Sequence, residues 1–168
     1  MTDVTITYLE MQERPHYPRP HQPLGHQAAL LHAEKPPVWY FLALYDAVGH
    51  QYDWTDKHDE TEEALRAFVQ HPDMALYTLI GNGWPAGFFM LDHREPGICD
   101  LAYFGLVPEM VGQGLGKFLL QEAVHTGWEG EGTEKLTVNT CTLDHPRALA
   151  LYQSAGFEPV RQDLITRD

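Results

Sequence analysis

The segment VPEMVGQGLGKFLL, residues 107–120, restricts the fold more than any other part of this chain. It places Gly112, Gly114 and Gly116 between a strand-like run, CDLAYFGLV, and an apolar, helix-like run. A strand that feeds a helix through such a loop brings bare backbone N–H groups and the positive end of the helix dipole together, an arrangement that holds an anion. One glycine suffices for a turn, so three in alternation ask for a further reason. Two familiar phosphate loops do not fit. A P-loop, G-x-x-x-x-G-K-[ST], would need glycine at Val111 and a hydroxyl at Phe118, and a dinucleotide fingerprint, G-x-G-x-x-G, would need glycine at Lys117.

The flanking pattern reads as one mixed α/β domain over residues 1–168. Val4 to Leu9 alternates as a half-buried strand. Residues 12–37 are rich in proline and histidine and read as a long, partly ordered connection, with a short helix around His26 to His32. VWYFLALYDAVG is apolar almost all round and reads as a buried or interface helix, and DETEEALRAFVQHP as a second helix with Leu65, Phe68 and Val69 on one face. MALYTLIGNGWPAGFFML is strand, turn and strand around Gly81-Asn82-Gly83. CDLAYFGLV is a strand ending at Pro108, and Leu115 to Trp128 a helix with Leu115, Phe118, Leu119 and Ala123 inward and Lys117, Gln121 and His125 outward. KLTVNTCT is a strand, His145 to Ala155 a helix with Pro146 in its first turn, and FEPVRQ a last strand, with LITR as a further one. The plan is β-α-α-β-β-β-α-β-α-β.

Composition narrows the function classes. The net charge of −13 argues against nucleic acid; it either only keeps the protein soluble or suits a cationic small substrate. No apolar run is long enough to span a bilayer, and no secretory signal opens the chain, so a cytoplasmic protein without membrane contact is expected. Cys99 and Cys141 form neither a disulfide framework nor a metal-binding spacing. His16, His21 and His26 recur every five residues within a proline-broken stretch, and no metal is expected.

Val111-Gly112-Gln113-Gly114-Leu115-Gly116 resembles the coenzyme-A loop of the GNAT acetyltransferases, Gln/Arg-x-x-Gly-x-Gly/Ala, with Val111 in place of the usual first residue. A second motif lies apart from the first. HPRALALYQSAGF is similar to the superfamily's last-helix pattern, Asn-x-x-Ala-x-x-Leu-Tyr-x-x-x-Gly-Phe, with Ala148, Leu151, Tyr152, Gly156 and Phe157 in register and His145 in the place of Asn. The resemblance covers Leu101 to Phe157 and implies a GNAT-like α/β fold whose central strands splay apart. It implies acetyl-CoA as co-substrate, with the pyrophosphate on main-chain N–H groups from Val111 to Lys117 and pantetheine between strands Leu101–Val107 and Leu136–Thr142. Leu106, Val107, His145, Ala148 and Tyr152 would touch the coenzyme, and an N–H near Gly105 to Val107 would face the thioester carbonyl. Tyr152 matches the general acid that protonates the departing thiolate, against the alternative of a packed core tyrosine.

Asp100 matches, with a gap, the base glutamate of some members, and a solvated strand end is its other reading. Strand alternation puts Tyr103 on the face opposite Asp100 unless a bulge intervenes. Asp144-His145-Pro146 reads first as a helix start, and a Cys141-His145-Asp144 nucleophile as a sequence coincidence. The acceptor site is expected from YFLALYDAVGHQYDWTDKHDE, with Tyr40, Tyr45, Trp54 and Tyr103 as walls, Tyr52 beside them, and Asp46, Asp53 or Asp56 to pair with a cation; an aromatic core with a solvated acidic run is its other reading. The resulting expectation is direct acetyl transfer to a small amine. The alternatives are a non-catalytic acyl-CoA-binding module and transfer of a different acyl group. Oligomeric state is not legible, although many members of the superfamily form dimers, and a homodimer is the expectation carried from them.

Overall fold

The computed structural model describes residues 1–23 and 25–168. Its elements run β1 (Thr2–Met11), β2 (Ala28–Ala33), α1 (Val38–Gly49), α2 (Glu62–Val69), β3 (Met74–Gly81), β4 (Trp84–Asp92), β5 (Ile98–Leu106), α3 (Leu115–Trp128), β6 (Lys135–Cys141), α4 (Ala148–Ser154) and β7 (Glu158–Arg167). Seven strands form one mixed sheet in the order β2-β3-β4-β5-β6-β1-β7. Helices α1 and α2 cover one face, where Phe41 and Phe68 pack on Tyr103. Helix α3 covers the other, with Gly127 close against Cys99 and Leu136.

Local chemistry explains most of these boundaries. Gly81 pairs with Trp84, leaving Asn82 (φ 55°) and Gly83 (φ 90°) as the two central residues of the hairpin, both left-handed as such a turn requires. The Thr61 hydroxyl caps α2 by accepting from the Ala64 N–H at 3.1 Å. Helix α3 keeps the bounds expected from its periodicity.

Four expectations need correction. Residues 28–33 form a strand, not a helix: AALLHA pairs antiparallel with β3 at the sheet edge, and that ladder overrides a helix-favouring Ala/Leu composition. The sheet also separates β1 from β2, an arrangement on which the element order is silent. The first strand crosses to lie between β6 and β7, antiparallel to both. Five strand spacings, roughly 24 Å, then separate β1 from β2, which is why the proline-rich connection must be long. That connection is tied to α3 and α4: the Tyr17 hydroxyl donates to the Ala155 carbonyl at 2.6 Å, and Arg19 pairs with Glu122 and Glu129. His125 therefore does not face solvent; Tyr17 packs edge-on against its ring, and its Nε2 is buried. Finally, the last strand runs unbroken from Glu158 to Arg167, and α4 begins at Ala148 because His145 to Arg147 form a turn.

The parallel ladder between β5 and β6 has three rungs: Ile98 to Lys135, Cys99 to Leu136 and Asp100 to Thr137. Beyond them each strand keeps only its outer partner, β5 with β4 and β6 with β1. The centre of the sheet opens into a gap, as the GNAT-like reading implied.

Candidate active site

The glycine loop sits at the mouth of this gap. Gly112 (φ 84°) and Gly114 (φ 81°) are left-handed, a region open to glycine and strained for other residues, and a Cβ on either would meet only open space. Their conformation, not crowding, demands glycine. Gly114 is the N-cap of α3 and supplies no side-chain cap, so the first-turn N–H groups at Leu115, Gly116 and Lys117 point outward without an intrahelical partner. A Cβ on Gly116 would rest at 3.8 Å from both Leu106 and Leu151, an ordinary contact. The side chains of Gln113 and Lys117 lie outside the cavity; Gln113 instead donates to the Glu109 carbonyl at 3.0 Å.

A cavity of about 430 Å³ runs from this loop through the gap to the other face of the sheet. At the loop end it is lined by Leu106, Val111, Gly112, Gly116, Ala148 and Tyr152. At the far end it is lined by Tyr45, Tyr52, Asp53, Trp54, Asp56 and Tyr103. Two candidate groups meet in one space.

Backbone directions sort the expected donors. Val107 donates its N–H to the Ala86 carbonyl at 2.9 Å and accepts from the Met110 N–H, so neither group is free, and its side chain is buried. Backbone polar groups alternate along a strand, so Leu106 turns its N–H the other way, into the gap. Of the two, Val107 has no backbone group left for a pantetheine arm, and Leu106 has one turned toward the gap.

Tyr152 is 7% exposed, lies edge-on to Phe104 and Phe157, and lines the cavity; its hydroxyl has no hydrogen-bond partner among the described residues. Burial, with the charges of Asp144 and Asp100 behind it, raises its pKa far above the ordinary tyrosine value. Tyr103 is raised by the same cause, with Tyr45 and nearby acids adding to it. Both phenols stay protonated at neutral pH and are donors.

Asp100 occupies the last closed rung, where its carboxylate accepts from the Thr137 hydroxyl at 2.6 Å, and it does not line the cavity. Burial raises its pKa. A bulge at Ala102 places Met90 opposite Tyr103 and Leu91 opposite Leu101, so Asp100 and Tyr103 share a face after all. Only Tyr103 of the two lines the cavity, so Asp100 does not face the space where a base would act.

Asp144 closes the end of β6: its carboxylate accepts from the Thr140 hydroxyl at 2.7 Å and the Cys141 N–H at 2.9 Å, with the Trp54 indole N–H at 3.4 Å. His145 accepts the Arg147 N–H on Nδ1 at 3.1 Å, a local cap before α4. Cys141 reaches the cavity wall, whereas burial pushes the Cys99 thiol up to about 12 and leaves it inert. Among the described residues no three His, Cys, Asp or Glu side chains converge as a metal-ligand set, and no helix is long and apolar enough to cross a membrane.

Of the expected acceptor walls, Tyr45, Trp54 and Tyr103 are in place. Tyr40 is not: its hydroxyl shares a 2.6 Å hydrogen bond with Thr78 on β3, away from the cavity. Trp54 sits against Gly49 so closely that a Cβ there would enter the indole. Among the lining residues that escaped the sequence reading are the two cationic ones, Arg147 and Arg167. Alternation along RQDLITR, had it been read as one strand, would have put Arg161, Asp163, Ile165 and Arg167 on one face.

The comparisons with known proteins agree with this fold. The model of the acetyltransferase (GNAT) family matches residues 39–157. The mycothiol acetyltransferase of Kocuria rhizophila is 29% identical over 131 residues, covering 61% of this chain and 42% of that protein. A GCN5-related N-acetyltransferase from Sphaerobacter thermophilus superposes with a TM-score of 0.66 at 18% identity, over 96% of this chain and 50% of its own. A second, from Kribbella flavida, gives 0.58 at 19% over 94% and 55%. At those identities the likeness is one of fold, and the chain spans less than half of the curated relative and about half of each solved one. The family match covers well over half of the chain, which therefore belongs to the acetyltransferase (GNAT) family.

Proposed function

We propose that the protein transfers the acetyl group of acetyl-CoA to a primary amine of a small molecule, by direct attack while both substrates are bound. The observation that carries this reading is the single continuous cavity joining the glycine loop to the aromatic chamber through the parted strands. A coenzyme whose pyrophosphate rests on the N–H groups of the loop and the first turn of α3 would lay its pantetheine arm along the free edge of β5. The Leu106 N–H faces the thioester carbonyl there and stabilises the oxyanion as the amine attacks. The amine nitrogen forms the new C–N bond, the tetrahedral intermediate collapses, and the C–S bond breaks. Tyr152 delivers its proton to the departing sulfur and regains the one that the newly acylated nitrogen sheds. Among the described residues no uncommitted carboxylate lies beside Tyr152, so the ammonium loses its proton through water at the chamber end. Two carboxylates there, Asp53 and Asp56, favour the approach of a cation.

The test is release of CoA thiol from acetyl-CoA against a panel of small primary amines, alongside calorimetric titration of the coenzyme. Release that depends on the amine supports the proposal. Coenzyme binding with no release on any amine would instead make the protein an acyl-CoA-binding module. Release with a longer acyl-CoA in preference to acetyl-CoA would replace the acyl group in this reading.

A further inference from the structure

The acidic run between α1 and α2 divides into committed and uncommitted groups. Asp46 is held by His58 at 2.5 Å, and Glu60 by Lys57 at 2.7 Å. Asp53 and Asp56 have no ion-pair partner among the described residues, and both line the chamber. Asp53 is held there with a left-handed backbone, φ 57°, at the end of the short turn His50–Tyr52.

The opposite charge arrives from the far end of the chain. In an antiparallel pair, residues directly opposite share a face, so β7 presents Arg161, Asp163, Ile165 and Arg167 on the face of β1 that carries Tyr8 and Ile6. The Arg161 guanidinium lies 4.1 Å over the Tyr8 ring, as that alternation requires. Ile6 and Arg167 both line the cavity. Arg161 also pairs with Asp163 at 3.4 Å, whereas Arg167 has no carboxylate within ion-pair distance among the described residues. Arg167 and Asp56 both act on the Tyr45 hydroxyl, from opposite directions in their effect on its ionisation.

The chamber thus holds two carboxylates and the Arg167 guanidinium, none ion-paired among the described residues, set around aromatic walls, while Arg147, also without an ion pair among them, lines the same cavity from the turn before α4. A ligand bearing one charge would leave the other kind unanswered; a ligand bearing both answers both. Resting on the acetyl-transfer reading above, we infer that the acceptor is a zwitterionic, amino-acid-like amine, drawn in through its ammonium by Asp53 and Asp56 and held by its carboxylate on Arg167. The guanidinium fork suits a carboxylate, which it can grip with two parallel hydrogen bonds.

The experiment uses matched sets of acceptors with saturating acetyl-CoA: L-phenylalanine, its carboxamide and phenethylamine, and the corresponding sets built on methionine and lysine. CoA release is measured for the wild type, Arg167→Gln and Arg167→Lys, with circular dichroism to confirm folding. The free acid is expected to have the lowest KM of its set. Arg167→Gln is expected to raise that KM by roughly 10–100-fold, the range for losing a charge-assisted hydrogen bond, so that the acid-to-amide ratio of KM collapses toward one. Arg167→Lys, which keeps the charge but not the fork, restores part of the preference. Equal use of acid, amide and decarboxylated amine by the wild type overturns the inference while leaving amine acetylation standing, because CoA is still released. A rise in KM for all three members alike in Arg167→Gln overturns it as well. No CoA release from any set, with the coenzyme still bound in calorimetry, overturns this inference and the amine reading together.

Discussion

Replacing Tyr152 by phenylalanine removes one hydroxyl and leaves the ring, so it separates chemistry from packing. The ring keeps its edge contacts with Phe104 and Phe157, at centroid distances of 6.0 and 6.1 Å. The hydroxyl makes no hydrogen bond with the described residues, so stability should change by less than ~1 kcal/mol. The rate effect follows from acid strength. Burial raises the Tyr152 pKa, which weakens it as a donor. A thiolate leaving into a dry environment is also more basic than in water, in the same direction as burial pushes the Cys99 thiol. Donor and acceptor rise together, and the transfer stays near balance. The contribution should therefore fall at the low end of general-acid catalysis, ~100-fold in turnover, or ~2.7 kcal/mol of barrier. The assay is initial CoA release at saturating acetyl-CoA with the best amine of the panel, with acetyl-CoA affinity measured by calorimetry. Turnover should fall while affinity stays within about twofold. Unchanged turnover in a folded Tyr152→Phe protein would remove Tyr152 from the acid role and leave it as a core aromatic.

Three further outcomes follow from the packing and the charges. Gly49→Ala drives a methyl group into the Trp54 indole, so it should cost ~1–3 kcal/mol as overpacking and weaken acceptor binding; an unchanged melting temperature would contradict that contact. His145→Ala removes the acceptor for the Arg147 N–H and should cost ~0.5–2 kcal/mol, read as a lower melting temperature with α3 and the sheet intact; no shift would mean that the turn holds without the imidazole. Asp100→Asn keeps an acceptor for the Thr137 hydroxyl and removes a charge that burial disfavours. The folded pKa of Asp100 is raised, so stability present below the ordinary carboxylate value, ~3.9, is lost as pH rises through the folded value. The variant should melt above the wild type at pH 7.5, with the gap closing toward pH 4, and should retain turnover. A gap that does not depend on pH would refute the raised carboxyl, and loss of turnover would return Asp100 to the chemistry.

The parts of the fold written in local pattern were legible. Helix α3, the Asn82-Gly83 hairpin and the glycine loop each depend on residues within a few positions of one another, and periodicity or turn chemistry reports such features directly. What depends on distant partners was not. Strand β2 is an edge strand of Ala and Leu that only its ladder with β3 makes extended. The placement of β1 between β6 and β7 is a pairing over more than 120 residues, and no local signal carries it. The candidate site divides the same way. Tyr45, Trp54, Tyr103, Tyr152 and the loop were found from motif and neighbourhood, whereas Tyr40 was misplaced because α1 is apolar almost all round and its facing was ambiguous. Arg167 was missed because it enters the chamber from the last strand, and the bulge at Ala102 that turns Tyr103 toward Asp100 has no composition signal.

The central claim is that main-chain N–H groups at the start of α3 hold the diphosphate of a coenzyme. Calorimetric titration of CoA into the wild type and into Gly114→Glu tests it most directly. The added carboxylate would occupy the anion's place, yet a negative charge at a helix N-terminus favours the helix, so folding should survive apart from the left-handed strain of ~1–2 kcal/mol. The account predicts saturable heat for the wild type and none for the folded variant. No heat with the wild type across temperatures and buffers, or equal binding by both proteins, would contradict it.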